Sequence, residues 1–149
     1  MSYVNITNSE SRTSREYAER LEQIKKDSVC PFCPDHLKKY HKHPIEEKSF
    51  WWVTDNMYPY KPTKHHRLII HKEHIEHVGE ISPEAWLEVH KIINEETHKL
   101  DIKGGTIILR FGDTSFTGGS VSHLHMHITQ SNPDSEDYDT KKGLIMRIG

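Results

Sequence analysis

The chain has 149 residues, a formal net charge of −2 and hydrophobic side chains at 34% of its positions. This length predicts one domain over residues 1–149 with its own core. The near-neutral charge argues against an extended nucleic-acid surface. No apolar run approaches the ~20 residues of a membrane span, and residues 1–10 lack the features of a secretory signal. We therefore expect a cytoplasmic protein.

The first part of the chain contains a predicted helix and a tight turn. Tyr17, Leu21 and Ile24 recur at helical spacing among charged residues, which predicts a helix over residues 12–27 within an N-terminal extension of residues 1–28. Residues 30–34, Cys-Pro-Phe-Cys-Pro, form a loop. The polar residues 36–48 are expected to be irregular.

The middle of the chain is predicted to hold two strands and a second helix. Apolar residues at 49–55 and 66–71 indicate the strands, and a loop with two prolines separates them at 56–64. Ser82-Pro83 marks a helix start and Gly104-Gly105 follows its end. The buried stripe of this helix is expected at Trp86, Val89, Ile93 and Leu100.

The last third is predicted to add strands and a polar tail. Residues 106–111 indicate a strand, residues 112–119 a loop of small residues and residues 121–129 a further strand. Residues 131–149 comprise a polar loop to 143 and a tail, which at 144–148 is either an edge strand or irregular. This order predicts an α+β fold, with an antiparallel sheet of about five strands and two main helices.

Alternating histidines are the most informative feature of the sequence. His123, His125 and His127 alternate with Leu124, Met126 and Ile128, as expected for a half-buried strand. The apolar side chains, with Ser122, would then face the core, and the three imidazoles would form a row on the opposite face. Imidazole can serve as nucleophile, acid, base or metal ligand near neutral pH.

A loop of small residues leads into this strand. Gly118 and Gly119 allow backbone N–H groups to approach an anion, and the Ser120 hydroxyl adds a donor. A phosphate beside the histidines would indicate phosphoryl or nucleotidyl transfer, with the central His125 attacking phosphorus. The alternative is a simple turn followed by an ordinary strand.

Cys30 and Cys33 form a Cys-x-x-Cys pair with three interpretations. They are a redox pair, two unconnected structural thiols, or half of a metal site. A redox pair is disfavoured because Pro34 follows the second cysteine and the predicted helix comes before the first. Together with His74 and His123 the pair would complete a closed, tetrahedral structural zinc site.

These residues together resemble the histidine triad (HIT) family. Residues 123–129 match its His-φ-His-φ-His-φ-φ motif, where φ is apolar, except at Thr129. Residues 118–121 are similar to the Gly-Gln-Ser-Val of the family, with Gly119 in place of glutamine. Residues 68–75 are similar to its strand ending in Pro-Lys-x-His, with His71 in place of proline. The cysteines match the zinc-bearing branch, whose ligands fall on Cys30, Cys33, His74 and His123.

The resemblance implies a fold, a substrate class and residue roles. It implies homodimers formed through the long helix, and a nucleotide substrate cleaved through a covalent nucleotidyl-His125. His127 and Ser120, with backbone N–H groups near Gly119, would contact the phosphate oxygens. One nitrogen of His125 would donate to a backbone oxygen.

Other positions follow from the resemblance less directly. Asp55 or Asn56 would grip the ribose hydroxyls, or would form only a turn. Asp113 stands where many members place a phosphate-side asparagine, and His66 lies close to the site. Two functional alternatives stay open: a metallohydrolase that uses all three histidines as ligands, and a non-catalytic nucleotide-binding module.

Overall fold

A five-stranded antiparallel sheet with strand order β1-β2-β3-β5-β4 organises the protein. The structure is a computed structural model that describes residues 2–9 and 14–149. The strands are β1 Ile45–Glu47, β2 Trp51–Asp55, β3 Thr63–His71, β4 Thr106–Leu109 and β5 His125–Ser131. The helices are α1 Arg15–Asp27, α2 Pro34–Tyr40 and α3 Pro83–Lys99. The predicted α+β class with a five-stranded antiparallel sheet is confirmed, with three helices in the place of two.

One face of the sheet carries the main core. Trp51, Val53, Ile69, Met126 and Ile128 are almost fully buried in one cluster with residues of α3. The Trp51 indole Nε1–H donates to the carbonyl oxygen of Ala85 at 2.9 Å. The alternation along β5 thus directs Met126 and Ile128 to this side, as predicted, and His125 and His127 to the other.

The buried stripe of α3 differs from the predicted one. Trp86 is 39% exposed, while Ala85, Val89, Ile92 and Glu96 are buried. The Glu96 carboxylate accepts from Arg67 Nε at 2.6 Å, and Arg67 Nη1 lies 2.9 Å from Asp55 Oδ1. A charged residue therefore belongs to the core face because it pairs with an arginine of the sheet.

The segment predicted to be irregular at residues 36–48 is ordered, so that prediction is wrong. It contains most of α2 and all of β1. Pro34 begins α2 at a position that suits proline, and Leu37 and Tyr40 are buried one turn apart. A helix of seven residues offers too few turns for its apolar spacing to stand out from the sequence.

Several predicted boundaries also move. The first two residues of the helix predicted at 12–27 lie outside the described part of the chain, and α1 begins at Arg15 after the cap Ser14. The strand predicted at 106–111 ends at Leu109. The histidine strand begins at His125, because Leu124 N–H donates to the Ile75 carbonyl oxygen, beyond the end of β3, instead of to the His71 carbonyl oxygen of β3. Residues 144–148 form a tail without strand pairing.

No described helix is long and apolar enough to cross a membrane.

Acid should destabilise the fold through His41. This side chain is 8% exposed, and its Nε2–H donates to Thr54 Oγ1 at 2.8 Å, since the Thr54 hydroxyl donates to the Pro44 carbonyl oxygen. Burial, helped by the nearby His43, lowers the pKa of His41 from 6.5 to about 4. The unfolded chain therefore binds the proton first, and stability falls as pH drops from about 6.5 towards 4.

We expect His41→Gln, which keeps the donor but cannot titrate, to remove part of this acid sensitivity. Between pH 7 and pH 4.5 the wild type should lose about 2 kcal/mol more unfolding free energy than the variant. Urea unfolding at the two pH values measures this difference. His98→Gln, at an exposed histidine, is the control. Equal losses of unfolding free energy in wild type and His41→Gln would show that His41 does not cause the acid sensitivity.

Candidate active site and metal centre

A cavity of about 870 Å³ lies on the face of the sheet opposite α3. Its walls come from β5, the loop after β2, the loop before β5, helix α1 and the C-terminal tail. Among the residues proposed from the sequence, six line it: Asn56, Gly118, Gly119, Ser120, His125 and His127. The structure therefore brings the expected nucleophile and the loop of small residues into one concave site.

His125 presents one nitrogen for chemistry. Its Nδ1 lies 2.6 Å from the backbone carbonyl oxygen of His123, so Nδ1 carries the proton and donates it. Nε2 then carries a lone pair. Desolvation by the surrounding protein lowers the pKa of His125 to about 4, against the opposing effect of the His123 carbonyl. The ring is partly exposed and lines the cavity, and at neutral pH it is an uncharged imidazole.

A hydrogen-bond chain fixes the tautomer of His127. The backbone N–H of Tyr60 donates to His66 Nδ1 at 3.0 Å, so the proton of His66 is on Nε2. His66 Nε2 lies 2.8 Å from His127 Nδ1 and donates to it. The Asn56 amide nitrogen, 3.1 Å from the same His66 atom, is a contact and not a second hydrogen bond. His127 consequently carries its proton on Nε2, as a donor.

The loop before β5 is held by the N-terminal segment. Asn8 Nδ2 donates to the Gly119 carbonyl oxygen at 2.7 Å, and Asn5 N–H donates to the Ser120 carbonyl oxygen at 2.8 Å. Planar peptide geometry turns the N–H groups of the next residues the opposite way. Gly118 has a φ of +69°, and a Cβ there would lie 2.9 Å from the Arg147 carbonyl oxygen, so only glycine fits.

The two cysteines form a separate cluster with two histidines. One ligand atom each from Cys30, Cys33, His74 and His123 lies within 4.8 Å of every other. His123 Nδ1 is 3.3 Å from Cys30 Sγ, 3.7 Å from Cys33 Sγ and 3.2 Å from His74 Nδ1. The ligand atoms of a tetrahedral zinc site lie about 3.3–3.7 Å apart, given bonds of ~2.3 Å to sulfur and ~2.0 Å to nitrogen. The four residues therefore fit a metal ion of zinc size.

Contacts behind the cluster orient the two imidazoles. His123 Nε2 donates to the His71 carbonyl oxygen at 2.6 Å, which leaves the Nδ1 lone pair for a metal, and His74 Nε2 contacts Glu76 Oε1 at 3.1 Å. Burial lowers the pKa of His123 to about 3 and raises that of the Cys30 thiol to about 12. A bound cation would reverse the second effect by stabilising the thiolate.

The three alternating histidines belong to two different sites. His123 precedes β5, is 1% exposed and belongs to the metal cluster, whereas His125 and His127 line the cavity. Leu124 lies in the core cluster with Met126 and Ile128, so the alternation of side chains continues back to His123 although β5 starts at His125. No row of three metal ligands faces the cavity.

Two predicted carboxylates lie outside the cavity lining. Asp55 sits on the α3 side of the sheet, where it pairs with Arg67. Asp113 caps a short turn: it accepts from the Ser115 hydroxyl and N–H, which lower the pKa of the Asp113 carboxyl. Asn56 does line the cavity, and its Oδ1 accepts from Tyr58 N–H at 2.8 Å.

Sequence reasoning missed several parts of the wall. Tyr60, Arg110 and residues 145–147 line the cavity, as do Tyr17 and Arg20 of α1. The Tyr60 ring stacks against His127 with centroids 5.8 Å apart. Lone aromatic or basic residues in polar segments carry no motif, so nothing in the sequence marks them as part of the site.

The chain matches the model of the HIT domain over residues 55–133, which is more than half of its length. Comparison with curated proteins found no match. Among solved structures, a HIT family hydrolase from Clostridium thermocellum is 28% identical, with a TM-score of 0.57, and the match covers 72% of this chain and 95% of that one.

Two further structures share the fold at lower identity. A histidine triad nucleotide-binding protein from Candida albicans is 16% identical with a TM-score of 0.60, over 80% of this chain and 81% of that one. A Zn-bound histidine triad family protein from Mycobacterium smegmatis is 19% identical with a TM-score of 0.54, over 72% and 78% of the two chains. With the match to the domain model, the paired histidines of the cavity and the separate Cys/His cluster, the chain belongs to the histidine triad family.

Proposed function

We propose that the protein is a nucleotide hydrolase or nucleotidyl transferase that works through a covalent nucleotidyl-His125 and releases a nucleoside monophosphate. The observation that carries this proposal is the Nδ1 donation from His125 to the His123 carbonyl oxygen at 2.6 Å. It fixes a neutral imidazole whose other nitrogen is a nucleophile within a cavity.

The reaction has two displacement steps. The Nε2 lone pair of His125 bonds to the α-phosphorus, and the bond to the leaving group breaks with its electron pair on that group. Water then bonds to phosphorus, the P–N bond breaks with its electrons returning to the imidazole, and a proton passes to solvent. His127 Nε2–H and the Ser120 hydroxyl donate to the non-bridging oxygens, where charge develops.

The metal site supports this chemistry indirectly. Zinc held by Cys30, Cys33, His74 and His123 would be structural, because all four positions are protein ligands. The metal would fix His123, whose carbonyl oxygen orients His125. It would also fasten the loop after α1 to the segment before β5.

For the sugar, we favour Asn56 over Asp55, because only Asn56 is among the cavity-lining residues. His66 positions His127 and does not line the cavity itself. The metallohydrolase alternative loses support from the placement of His123 in a different cluster from His125 and His127.

Assembly and location are proposed on independent grounds. Trp86 and Leu87 of α3 are 39% and 58% exposed, and β4 is an edge strand with Ile107 50% exposed. These apolar residues support a homodimer formed through α3. Two free cysteines in a metal cluster support a reducing, cytoplasmic location.

Mass spectrometry of protein quenched during turnover tests the mechanism. Adenosine phosphoramidate and diadenosine polyphosphates serve as substrates, and we expect an adenylyl adduct that maps to His125. Turnover without an adduct, lost as soon as a chelator removes the metal, would favour a metallohydrolase. Nucleotide binding without any product would favour a binding module.

A further inference from the structure

Positive charge is concentrated around the cavity of a chain whose formal net charge is −2. Four basic residues line the cavity, namely Arg20, Lys61, Arg110 and Arg147, against one acidic residue, Glu16. Glu16 is paired with Lys42 outside the lining. Within residues 2–9 and 14–149, none of the ion pairs involves Lys61, Arg110 or Arg147. The charge of the cavity lining is therefore suited to an anion larger than a single phosphate.

Arg110 is the best-anchored of these cations. It follows the end of β4, and its Nε donates to the Thr117 carbonyl oxygen at 3.0 Å. Nη1 donates to the Tyr60 hydroxyl at 3.3 Å, and Nη2 donates to the Arg147 carbonyl oxygen at 2.9 Å. A guanidinium group has five N–H donors, so two remain. All three partners are neutral oxygens, which fix the side chain but leave its charge without a counter-ion.

The guanidinium group is placed beside the reaction centre. The Arg110 side chain lies over Gly119, where an added Cβ would be 3.2 Å from Arg110 Cδ. On the other side it contacts Tyr60, whose ring stacks on His127. Arg110 contacts Arg147 through the Arg147 backbone carbonyl oxygen, while the Arg147 guanidinium donates to the Thr7 and Gly149 oxygens. Lys61 follows Tyr60 in the chain and also lines the cavity.

We propose that Arg110, flanked by Lys61 and Arg147, binds the anionic leaving group of the substrate. This inference rests on the proposed function. His127, Ser120 and the loop N–H groups already supply donors for the α-phosphate. The Arg110 guanidinium next to them has two remaining N–H groups and no counter-ion, so it is suited to a further phosphate beyond the scissile bond. The protein should accordingly prefer substrates with a phosphorylated leaving group to those that release a neutral amine.

Equilibrium binding separates the two halves of such a substrate. In a His125→Ala background, which cannot cleave, AMP reports the nucleotidyl half, and diadenosine triphosphate reports both halves in isothermal titration. Arg110→Gln should weaken the binding of diadenosine triphosphate by about 10-fold or more. It should weaken the binding of AMP by less than about 3-fold. Arg15→Gln, at an outward-facing arginine whose side chain is 92% exposed, is the matched control.

A second variant and a kinetic comparison test the same assignment independently. Lys61→Gln alters an exposed side chain, so its folding is not at risk, and it should shift the affinities in the same direction by a smaller factor. With His125 intact, Arg110→Gln should lower kcat/KM for diadenosine triphosphate more than for adenosine phosphoramidate. Equal losses for AMP and diadenosine triphosphate, or no loss for either, would overturn the assignment of Arg110. Failure of the wild type to bind any of these nucleotides would overturn the proposed function itself.

Discussion

Replacement of His125 by alanine should lower kcat by at least about 10⁴-fold. The substitution removes the only atom proposed to bond to phosphorus, while His127, Asn56 and the loop at residues 118–120 keep their contacts. Nucleotide binding should therefore change by less than about 3-fold. Release of AMP measures turnover, and isothermal titration measures binding. His90→Ala, at an exposed histidine of α3, is the matched control.

A rescue experiment distinguishes a lost nucleophile from a damaged cavity. His125→Gly leaves a space beside the His123 carbonyl oxygen, and added imidazole can occupy it and donate to the same acceptor. We expect imidazole to restore part of the turnover in His125→Gly. It should restore no turnover in a His125→Gly variant in which Ser120 and His127 are also substituted. A His125→Ala enzyme that keeps turnover within 10-fold of wild type would contradict the proposed covalent step.

The parts of the site that the sequence predicts are those encoded over a few adjacent residues. Alternation along residues 125–129 places His125 and His127 opposite the core because a strand has a side-chain period of two. The Cys-x-x-Cys spacing holds two thiols in one turn. The combination with His74 and His123 is proposed from their places beside the predicted strands and agrees with the family resemblance, and the structure brings the four residues together.

The parts that the sequence does not predict depend on contacts between distant segments. Arg110 is held by Tyr60, Thr117 and Arg147, and no local pattern encodes these partners. The choice between Asp55 and Asn56 depends on a shift of one residue, which changes the face of the sheet. The prediction places the start of the histidine strand too early, at residue 121. The backbone of Leu124 is held by a hydrogen bond to Ile75, which is far away in the sequence, so no local pattern encodes this boundary.

Loss of the metal should cost the protein more stability than activity. If zinc is bound by Cys30, Cys33, His74 and His123, its binding free energy contributes directly to folding. We expect wild-type protein to contain one zinc per chain. Chelation or Cys30→Ala should remove it and lower the melting temperature by about 10 °C, which corresponds to roughly 3–4 kcal/mol for a domain of this size. Below the new melting temperature, turnover should fall by no more than about 10-fold, through looser positioning of His123 behind His125.

The second cysteine separates metal loss from loss of packing. Cys30 is 4% exposed, whereas Cys33 is partly exposed, so packing alone predicts a large effect of Cys30→Ala and a small one of Cys33→Ala. Metal binding predicts equal effects, because either change opens the site, and neither variant should respond further to a chelator. Metal content by mass spectrometry and thermal unfolding with and without chelator provide the measurements. A wild-type protein that is stable without metal, together with a Cys33→Ala variant of unchanged melting temperature, would refute a structural zinc site. The His123 carbonyl oxygen would then orient His125 without help from a metal.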